Sequence, residues 1–461
     1  MLLKHPNVNR REFCRVGVAS LTSLAASVSV NAGETGRLKI ASFQCDVTSR
    51  IGEQLMNKVA KEVEFPLQAK GIVIEDGDRR YVLCSIDWCE LCNSTYDRFR
   101  RVIADAAGTD TSHVAVHTIH QHTAPFVDGD AQKLLAEIGC ASLHVSPEFL
   151  DDVVIRLGKA VKRAVRELQP FDTIGVGQAK VDRVASSRRV RLPNGDIQTR
   201  WSSCKDPELA ARPEGLIDPY LKTITFANKK KPIVRLHYYA THPQSHYGRG
   251  VIGYDVPGIA REKLQKEEGV TQIYFTGCGG DITMGKYNDA SVKARTDLAK
   301  RLYRGMRDSI ATTKWIPADG VTWRTYPLSL TLRTDGRFSV EKCMAVMKNE
   351  KANRSTRLYK GAMRIAFIKR QNRPIELTSL QIGNVHIVHL PGEPMIAFQL
   401  YAQRTKPNDF VAVAGYGDSS PGYICTKGAF SDNGGYEQGA SSSGPESEAK
   451  VKKAIQNLLG N

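Results

Sequence analysis

Along most of this chain, short apolar runs rich in β-branched residues alternate with longer segments of helical period. Strands are expected at "LKIASFQ" (38–44), "GIVIED" (71–76), "YVLCSID" (81–87), "SHVAVHTI" (112–119), "FDTIGVGQA" (171–179), "IVRLHYYA" (233–240), "QIYFTG" (272–277), "LTSLQIG" (377–383) and "VHIVHL" (385–390). Helices are expected at 95–108, closed by Gly108, and from Ser146-Pro147 to about Leu168, where Ser is the N-cap and Pro sits in the first turn. Further helices fit Ala290 to Thr312, Glu393 to Arg404 and 446–459, the last after a glycine- and serine-rich loop at 428–446. Interleaved in this way, without long low-complexity linkers or internal repeats, the elements predict one mixed α/β domain over residues 33–461.

The first 32 residues differ in kind. Arg10-Arg11, then Phe13, a weakly apolar Ala/Ser/Val/Leu run and Val30-Asn31-Ala32 resemble a bacterial twin-arginine export signal cleaved before Gly33. A short amphipathic N-terminal helix is the alternative. The expected location is therefore outside the cytoplasm, periplasmic or secreted. No run of apolar residues is long enough for a transmembrane helix. The formal charge is +17; Lys4, Arg10, Arg11 and Arg15 against Glu12 account for the signal's share, leaving +14 beyond it. The basic residues are dispersed and accompany no nucleic-acid motif, so no nucleic-acid partner is expected. They read as a solvated basic surface or, more sharply, as a surface drawn to anionic lipid or polysaccharide. The cysteines are scattered; Cys89-x-x-Cys92 has no second such pair at zinc-site spacing, and no disulfide framework is expected.

Candidate chemistry gathers where strands end. "VHTIHQHTAP" (116–125) holds three of the eleven histidines. If the strand continued through it, His120 and His122 would share one face and His117 would take the other, as a structural residue. A lone His-x-His can equally be chance or a structural pair. "YYATHPQSH" (238–246) ends a second strand at His242. "HLPGEPMIAF" (389–398) places Glu393 after a third, where an acid can also serve only a helix dipole. Tyr423 and Tyr436 lie on a glycine-rich loop, where phenols can simply be packing groups. "FTGCGGDITMGKYND" (275–289) could cradle phosphate but lacks the Walker Gly-Lys-Ser/Thr ending.

Taken in order, His120-Gln121-His122-Thr123-Ala124-Pro125, Ser187-Arg188-Arg189, Thr241-His242-Pro243, Gly280-Asp281-Ile282-Thr283, Leu390-Pro391-Gly392-Glu393-Pro394, Gly422-Tyr423-Ile424 and Gly435-Tyr436-Glu437 resemble the neutral, non-lysosomal ceramidase family. The resemblance runs over roughly residues 38–440. It implies a mixed-sheet α/β zinc-hydrolase catalytic domain, here without the immunoglobulin-like domain that usually follows. It also implies Zn2+ held by His120, His242, Glu393 and Tyr423, matching the histidine that opens the family's His-x-His-Ser-Gly-Pro, its Thr-His-Pro histidine, its Pro-Gly-Glu-Pro glutamate and its Gly-Tyr tyrosine. His122 matches the catalytic histidine, Arg188 and Tyr436 match polar groups near the scissile carbonyl, and Thr283 stands where the family has a serine near the amide. No organic cofactor is implied.

These donors suit an open zinc site. Zinc lowers the pKa of its water to about 7, which makes hydroxide available to attack an amide carbonyl. His122 can then take a proton and return it to the leaving amine, while Arg188 and Tyr436 donate to the oxyanion. Departures from the family pattern are Thr123-Ala124 for Ser-Gly, Thr283-Met284 for Ser-Pro and a slightly longer Tyr423–Tyr436 spacing. They bear on the substrate more than on the metal. The expected partner is a small N-acyl amide or sphingolipid-like molecule. A cleft bounded by loops 123–130, 243–254 and 417–437, carrying Phe126, Tyr247, Tyr254 and Phe430, has few long aliphatic residues and favours shorter or more polar acyl groups. Two alternatives remain: a two-metal amidohydrolase-type enzyme in which His120 and His122 are both ligands, and a non-catalytic, secreted, zinc-containing binding protein. Metal analysis separates the enzymes, with about one zinc per chain expected for the first reading and about two for the second, whose ions would lie roughly 3.5–4 Å apart.

Overall fold

The three main sheets of this chain follow one plan. The computed structural model describes residues 38–56, 58–140, 145–370 and 372–461, so the export-signal reading of residues 1–32 lies outside the described residues. The first sheet runs Val114–Thr118, Arg79–Ile86, Gln68–Asp76, Leu38–Asp46, Gln169–Pro170. The second runs Thr271–Thr276, Lys231–Tyr239, Tyr220–Asn228, Thr173–Lys180, Lys314–Pro317, and the third Thr322–Leu328, Ile375–Ile382, Val385–His389, Phe410–Ala414. Each is antiparallel except for one parallel pair: Arg79–Ile86 with Val114–Thr118, Lys231–Tyr239 with Thr271–Thr276, and Val385–His389 with Phe410–Ala414. Parallel strands cannot be joined by a tight turn. The crossovers contain the helices Asn93–Ala107, Asp255–Glu268 and Ile396–Thr405 respectively. The fold thus repeats a β–α–β unit three times, and open sheets place ligands outside the carboxyl ends of such strands.

The inner faces of all three sheets share one core, with Ile40, Ile72 and Leu83 from the first, Ile224, Phe226, Leu236 and Phe275 from the second, and Leu380, Ile387 and Ala412 from the third. Each outer face is covered by two helices. Phe43, Val73 and Val116 pack against Asn93–Ala107 and Pro147–Arg166. Leu221, Tyr239 and Tyr274 pack against Asp255–Glu268 and Val292–Ala311. Leu377, Val388 and Val411 pack against Ile396–Thr405 and Ser447–Leu458. A sheet buried on both faces is apolar almost throughout, which is why these strands stand out as continuous runs. Where Val292–Ala311 crosses the second sheet, a Cβ on Gly177 would lie 1.9 Å from the Ser309 carbonyl oxygen, so glycine sets the helix–sheet distance there.

Several expectations need correction. The strand expected at 112–119 is Val114–Thr118, preceded by the 3-10 turn Thr111–His113. It stops before His120, whose φ of 61° breaks the pleat. The helix expected from Glu393 begins at Ile396, because Glu393–Pro394 pairs in parallel with Tyr423–Ile424. Glu393 is therefore a strand residue and not a helix-dipole acid. The strands Tyr220–Asn228, Thr322–Leu328 and Phe410–Ala414 and the helix Asp255–Glu268 were not anticipated, nor were the helices between Val340 and Lys369. All nine described cysteines are free, Cys89 and Cys92 among them. Among the described residues, no helix is long and apolar enough to cross a membrane.

One buried ion pair ties the first sheet to the helix covering the second. Asp87, just past the end of Arg79–Ile86, accepts from both Arg261 terminal nitrogens at 2.8 and 2.9 Å. Removing either partner alone, in Asp87→Ala or Arg261→Met, leaves a buried charge and should cost about 3–5 kcal/mol; removing both should cost less than the sum. Urea unfolding of the two single variants and the double variant measures this. A second expectation concerns pH. Asp128 caps the helix Gly129–Ala136, accepts from the Ala131 N–H and from Asn93 Nδ2, and is pushed by burial from 3.8 to about 7. The native state thus holds a proton that the unfolded chain gives up, so this stabilisation is complete below about pH 4 and is lost as pH rises through about 7. Asp128→Asn should lose less stability than the wild type between about pH 5 and pH 8, read as unfolding midpoints.

Candidate metal centre

All six carboxyl ends of the parallel strands feed one region. The first sheet's pair leads to Glu90 and to His120 and His122, the second's to His242 and Asp281, and the third's to Glu393 and to Tyr416 and Tyr423. Because each unit ends on the same side of the common core, residues far apart in sequence become neighbours.

His120 and His242 approach one carboxylate oxygen. Glu393 Oε2 lies 3.1 Å from His120 Nε2 and 3.0 Å from His242 Nε2. Both rings turn Nδ1 away, His120 towards the Cys89 carbonyl at 3.2 Å and His242 towards the Gly279 carbonyl at 2.6 Å. A carbonyl only accepts, so each Nδ1 carries a hydrogen and each Nε2 is the atom turned to Glu393. Two ring nitrogens and a carboxylate oxygen this close can share one cation. Burial opposes the Glu393 charge, but the His120 and His242 imidazoles hold its carboxyl well below the usual carboxylate range. Burial, with Arg188 nearby, lowers His242 to about 4. Tyr423 completes the cluster with its hydroxyl 3.5 Å from His242 Nε2, and it accepts from Arg188 at 3.3 Å. Burial pushes this phenol up, while the Arg188 charge works in the other direction. His120, His242 and Glu393 present ligand atoms within 4.8 Å of one another, and two imidazoles, a carboxylate and a phenol fit a zinc ion.

A second group, Cys89 with His120 and His122, shares His120 with the first. Burial pushes the Cys89 thiol well up, which keeps it protonated and a poor ligand. His122 is differently placed. Its Nε2 lies 3.4 Å from His120 Nε2, and its Nδ1 lies 3.0 Å from Gln244 Nε2, whose amide oxygen takes the Ser202 hydroxyl. Burial and the neighbouring His120 and His242 rings hold His122 well below its ordinary value, so it is neutral.

Arg188 is buried behind the cluster. It pairs with Glu437 at 3.1 Å and donates to the Gly280 carbonyl and to Tyr423. Its guanidinium lies 5.4 Å from both the Tyr423 and Tyr436 ring centroids. Tyr436 is 39% exposed and lies edge-on to Trp201 at 5.1 Å. Thr283 stands apart: it pairs with Ser186 in a two-stranded ribbon, and its hydroxyl accepts from the Gly285 N–H. It does not line the cavity over the cluster. His117 faces inward and holds the Gly415 carbonyl at 2.6 Å, as a structural histidine does. His237 sits between Thr223 and Gln272.

That cavity has a volume of about 580 Å³ and is lined by His120, His122, Glu393, Tyr423 and Tyr436. Its remaining wall differs from the one expected. Phe126 and residues 420–442 contribute, but the 243–254 loop does not; Tyr254 stacks on Phe65 instead, at 4.7 Å. Met56, Arg337, Tyr359, Lys360, Met363 and Arg364 take its place, most of them from helices that short, interrupted periods hid in the sequence. Sequence reasoning also missed Glu90, which lies in "SIDWCELC", a stretch read only for its cysteines. Glu90 lines the cavity, and burial beside Glu393 pushes its carboxyl well up. Tyr416 was missed as well; its ring stacks on His120 at 4.3 Å.

No protein-family profile and no curated protein sequence matches this chain. Solved structures do. The crystal structure of neutral ceramidase from Pseudomonas aeruginosa superposes with a TM-score of 0.68 at 14% identity, covering 92% of this chain and 74% of that one. A ceramidase complexed with C2 gives a TM-score of 0.68 at 14% identity, covering 92% and 75%. Over nearly all its length, this chain has the neutral ceramidase fold.

Proposed function

We propose that this protein is a zinc-dependent hydrolase of N-acyl amide bonds. The observation that carries the reading is the meeting of His120 Nε2 and His242 Nε2 on Glu393 Oε2, at 3.1 and 3.0 Å, at the floor of an open cavity. The likeness to ceramidases of known structure supports an amide, and a lipid amide such as ceramide, as the bond cleaved. His120, His242, Glu393 and Tyr423 hold the metal. Zinc bound there supplies a Lewis acid and a nucleophile at neutral pH. His122 is the proton carrier: neutral, beside His120 and open to the cavity, it takes a proton during attack and delivers it to the leaving amine. Gln244 fixes the ring orientation of His122. Arg188 keeps its positive charge on Tyr423 and supports phenolate character there. Tyr436, half-exposed at the cavity wall, offers a hydroxyl to the developing oxyanion. Thr283 acts only through the packing of its ribbon. Residues 33–461 form the catalytic domain, and the Arg10-Arg11 signal sends it out of the cytoplasm folded, with its metal already in place.

His242→Ala and Glu393→Ala should each lose most bound zinc, since each removes one of four protein donors. His122→Ala should keep the metal and lose turnover by about 10²–10⁴-fold. Metal content by elemental analysis, with turnover on ceramide, N-acyl amino acids and N-acyl sugars, checks both. Loss of zinc from the His122 variant as complete as from the His242 variant, with about two metals in the wild type, would transfer the assignment to a two-metal enzyme.

A further inference from the structure

Part of the cavity wall carries positive charge that amide cleavage does not use. Arg337, Lys360 and Arg364 all line it. Around the buried ring of Phe338, three guanidinium groups converge: Arg333 at 3.8 Å, Arg364 at 4.2 Å and Arg337 at 5.3 Å from the centroid. Attraction to the ring holds each of them, yet like charges gathered in this way repel one another. Asp335 pairs with Arg333 at 3.2 Å and is itself 70% exposed. Arg333 also donates to the Gln438 carbonyl, so its capacity is taken up.

Arg337, Lys360 and Arg364 form no ion pair among the described residues. Arg337 donates to the Gly439 carbonyl, and its other nitrogens are open to the cavity mouth. Arg364 is the unusual member, only 7% exposed; it donates to the Arg337 carbonyl at 3.4 Å and to the Cys343 sulfur, a weak acceptor. An arginine buried so deeply is ordinarily matched by a carboxylate or phosphate. The backbone is shaped to aim it. Between the helical turns Arg354–Arg357 and Met363–Lys369, Leu358–Ala362 winds as a π-helix, and Tyr359, Lys360, Met363 and Arg364 all reach the cavity. Such turns gather at functional sites. The same cavity is lined by His120, His122 and Glu393.

We infer that the substrate is an N-acyl amide bearing an anionic group, a carboxylate, sulfonate or phosphate ester, which is seated among Arg337, Lys360 and Arg364 while the amide lies at His122 and Glu393. The inference rests on the amide-hydrolase reading above. Guanidinium groups match the oxygens of such anions two at a time. The anion can belong to the amine half or to the acyl half; the chemistry that recognises it is the same.

The test measures kcat/KM of the zinc-loaded protein on two matched pairs. N-lauroyl-β-alanine against N-lauroylpropanolamine carries the charge in the amine half. The N-hexyl monoamide of sebacic acid against N-hexyl decanamide carries it in the acyl half. At least one acid should exceed its neutral partner by about tenfold, and that ratio should fall towards one in the double variant R337Q/K360Q, both positions being exposed. Ratios near one in both pairs of the wild type, or a ratio unchanged in the double variant, would overturn the inference. Calorimetric titration with octyl phosphate gives a readout without turnover, and R337Q/K360Q should bind it about tenfold more weakly. Equal binding by wild type and variant would put the anion on the metal and also overturn the inference. If no amide is cleaved but octyl phosphate binding still depends on Arg337 and Lys360, the amide reading alone has failed.

Discussion

Two imidazole nitrogens face one carboxylate oxygen at 3.0 and 3.1 Å, and much of the structure exists to keep them there. The rings cannot turn away, because each Nδ1–H is committed to a backbone carbonyl, Cys89 for His120 and Gly279 for His242. The Glu393 backbone cannot retreat, because it pairs with Tyr423 and lies against Gly280, where an added Cβ would come within 2.4 Å of the Glu393 carbonyl oxygen. Held together, these atoms form a group that could hold a cation. Binding of a metal there would be coupled to folding, since ligands preorganised in this way exist only once all three sheets have closed on their common core.

The surrounding charges are arranged in layers. Glu437, fully buried, takes Arg188 at 3.1 Å and Arg189 at 2.7 Å, and Asp432 takes Arg189 and Arg191. Arg188 is the layer that reaches the cluster, through Tyr423. On the far side of the cluster, Asp87 and Arg261 lock the end of the first sheet to the helix over the second. Buried ions of this kind are expensive unless each is matched. Those around the His120, His242 and Glu393 cluster are matched, whereas Arg364, buried beside Phe338 in the cavity wall, has no carboxylate partner among the described residues. The contrast separates charge that builds the site from charge left available to a ligand.

Much of the fold was legible because burial on both faces makes a strand apolar along its whole length. Leu38–Asp46, Lys231–Tyr239, Thr271–Thr276 and Val385–His389 all announce themselves in this way. Phe410–Ala414 was missed for want of length, and Asp255–Glu268 because its polar face is wide and Pro257 and Gly258 fall in its first turn. Of the site, the residues at strand ends were legible as candidates. His120 and His122 were expected to converge through strand alternation, but they do so through the left-handed backbone of His120 after the strand has stopped. Thr283 follows a Gly-Asp turn as expected, yet pairing with Ser186 turns it away from the cavity.

The amino-acid sequence by itself determined which segments become strands and helices, since hydrophobic period and turn chemistry act within a few residues of each position. It also marked His120, His122, His242 and Glu393 at the ends of those strands, and Tyr423 on a glycine-rich loop. The tertiary structure alone decided which of them meet. Glu393 is 151 positions from His242 and closes on it only because three β–α–β units, each packed against one core, finish on the same side. Only that packing could bring Arg364 onto Phe338 and turn the Val340–Lys369 helices into a cavity wall. Contacts between distant segments depend on how whole faces fit together, and local sequence period carries no record of which face will lie opposite another.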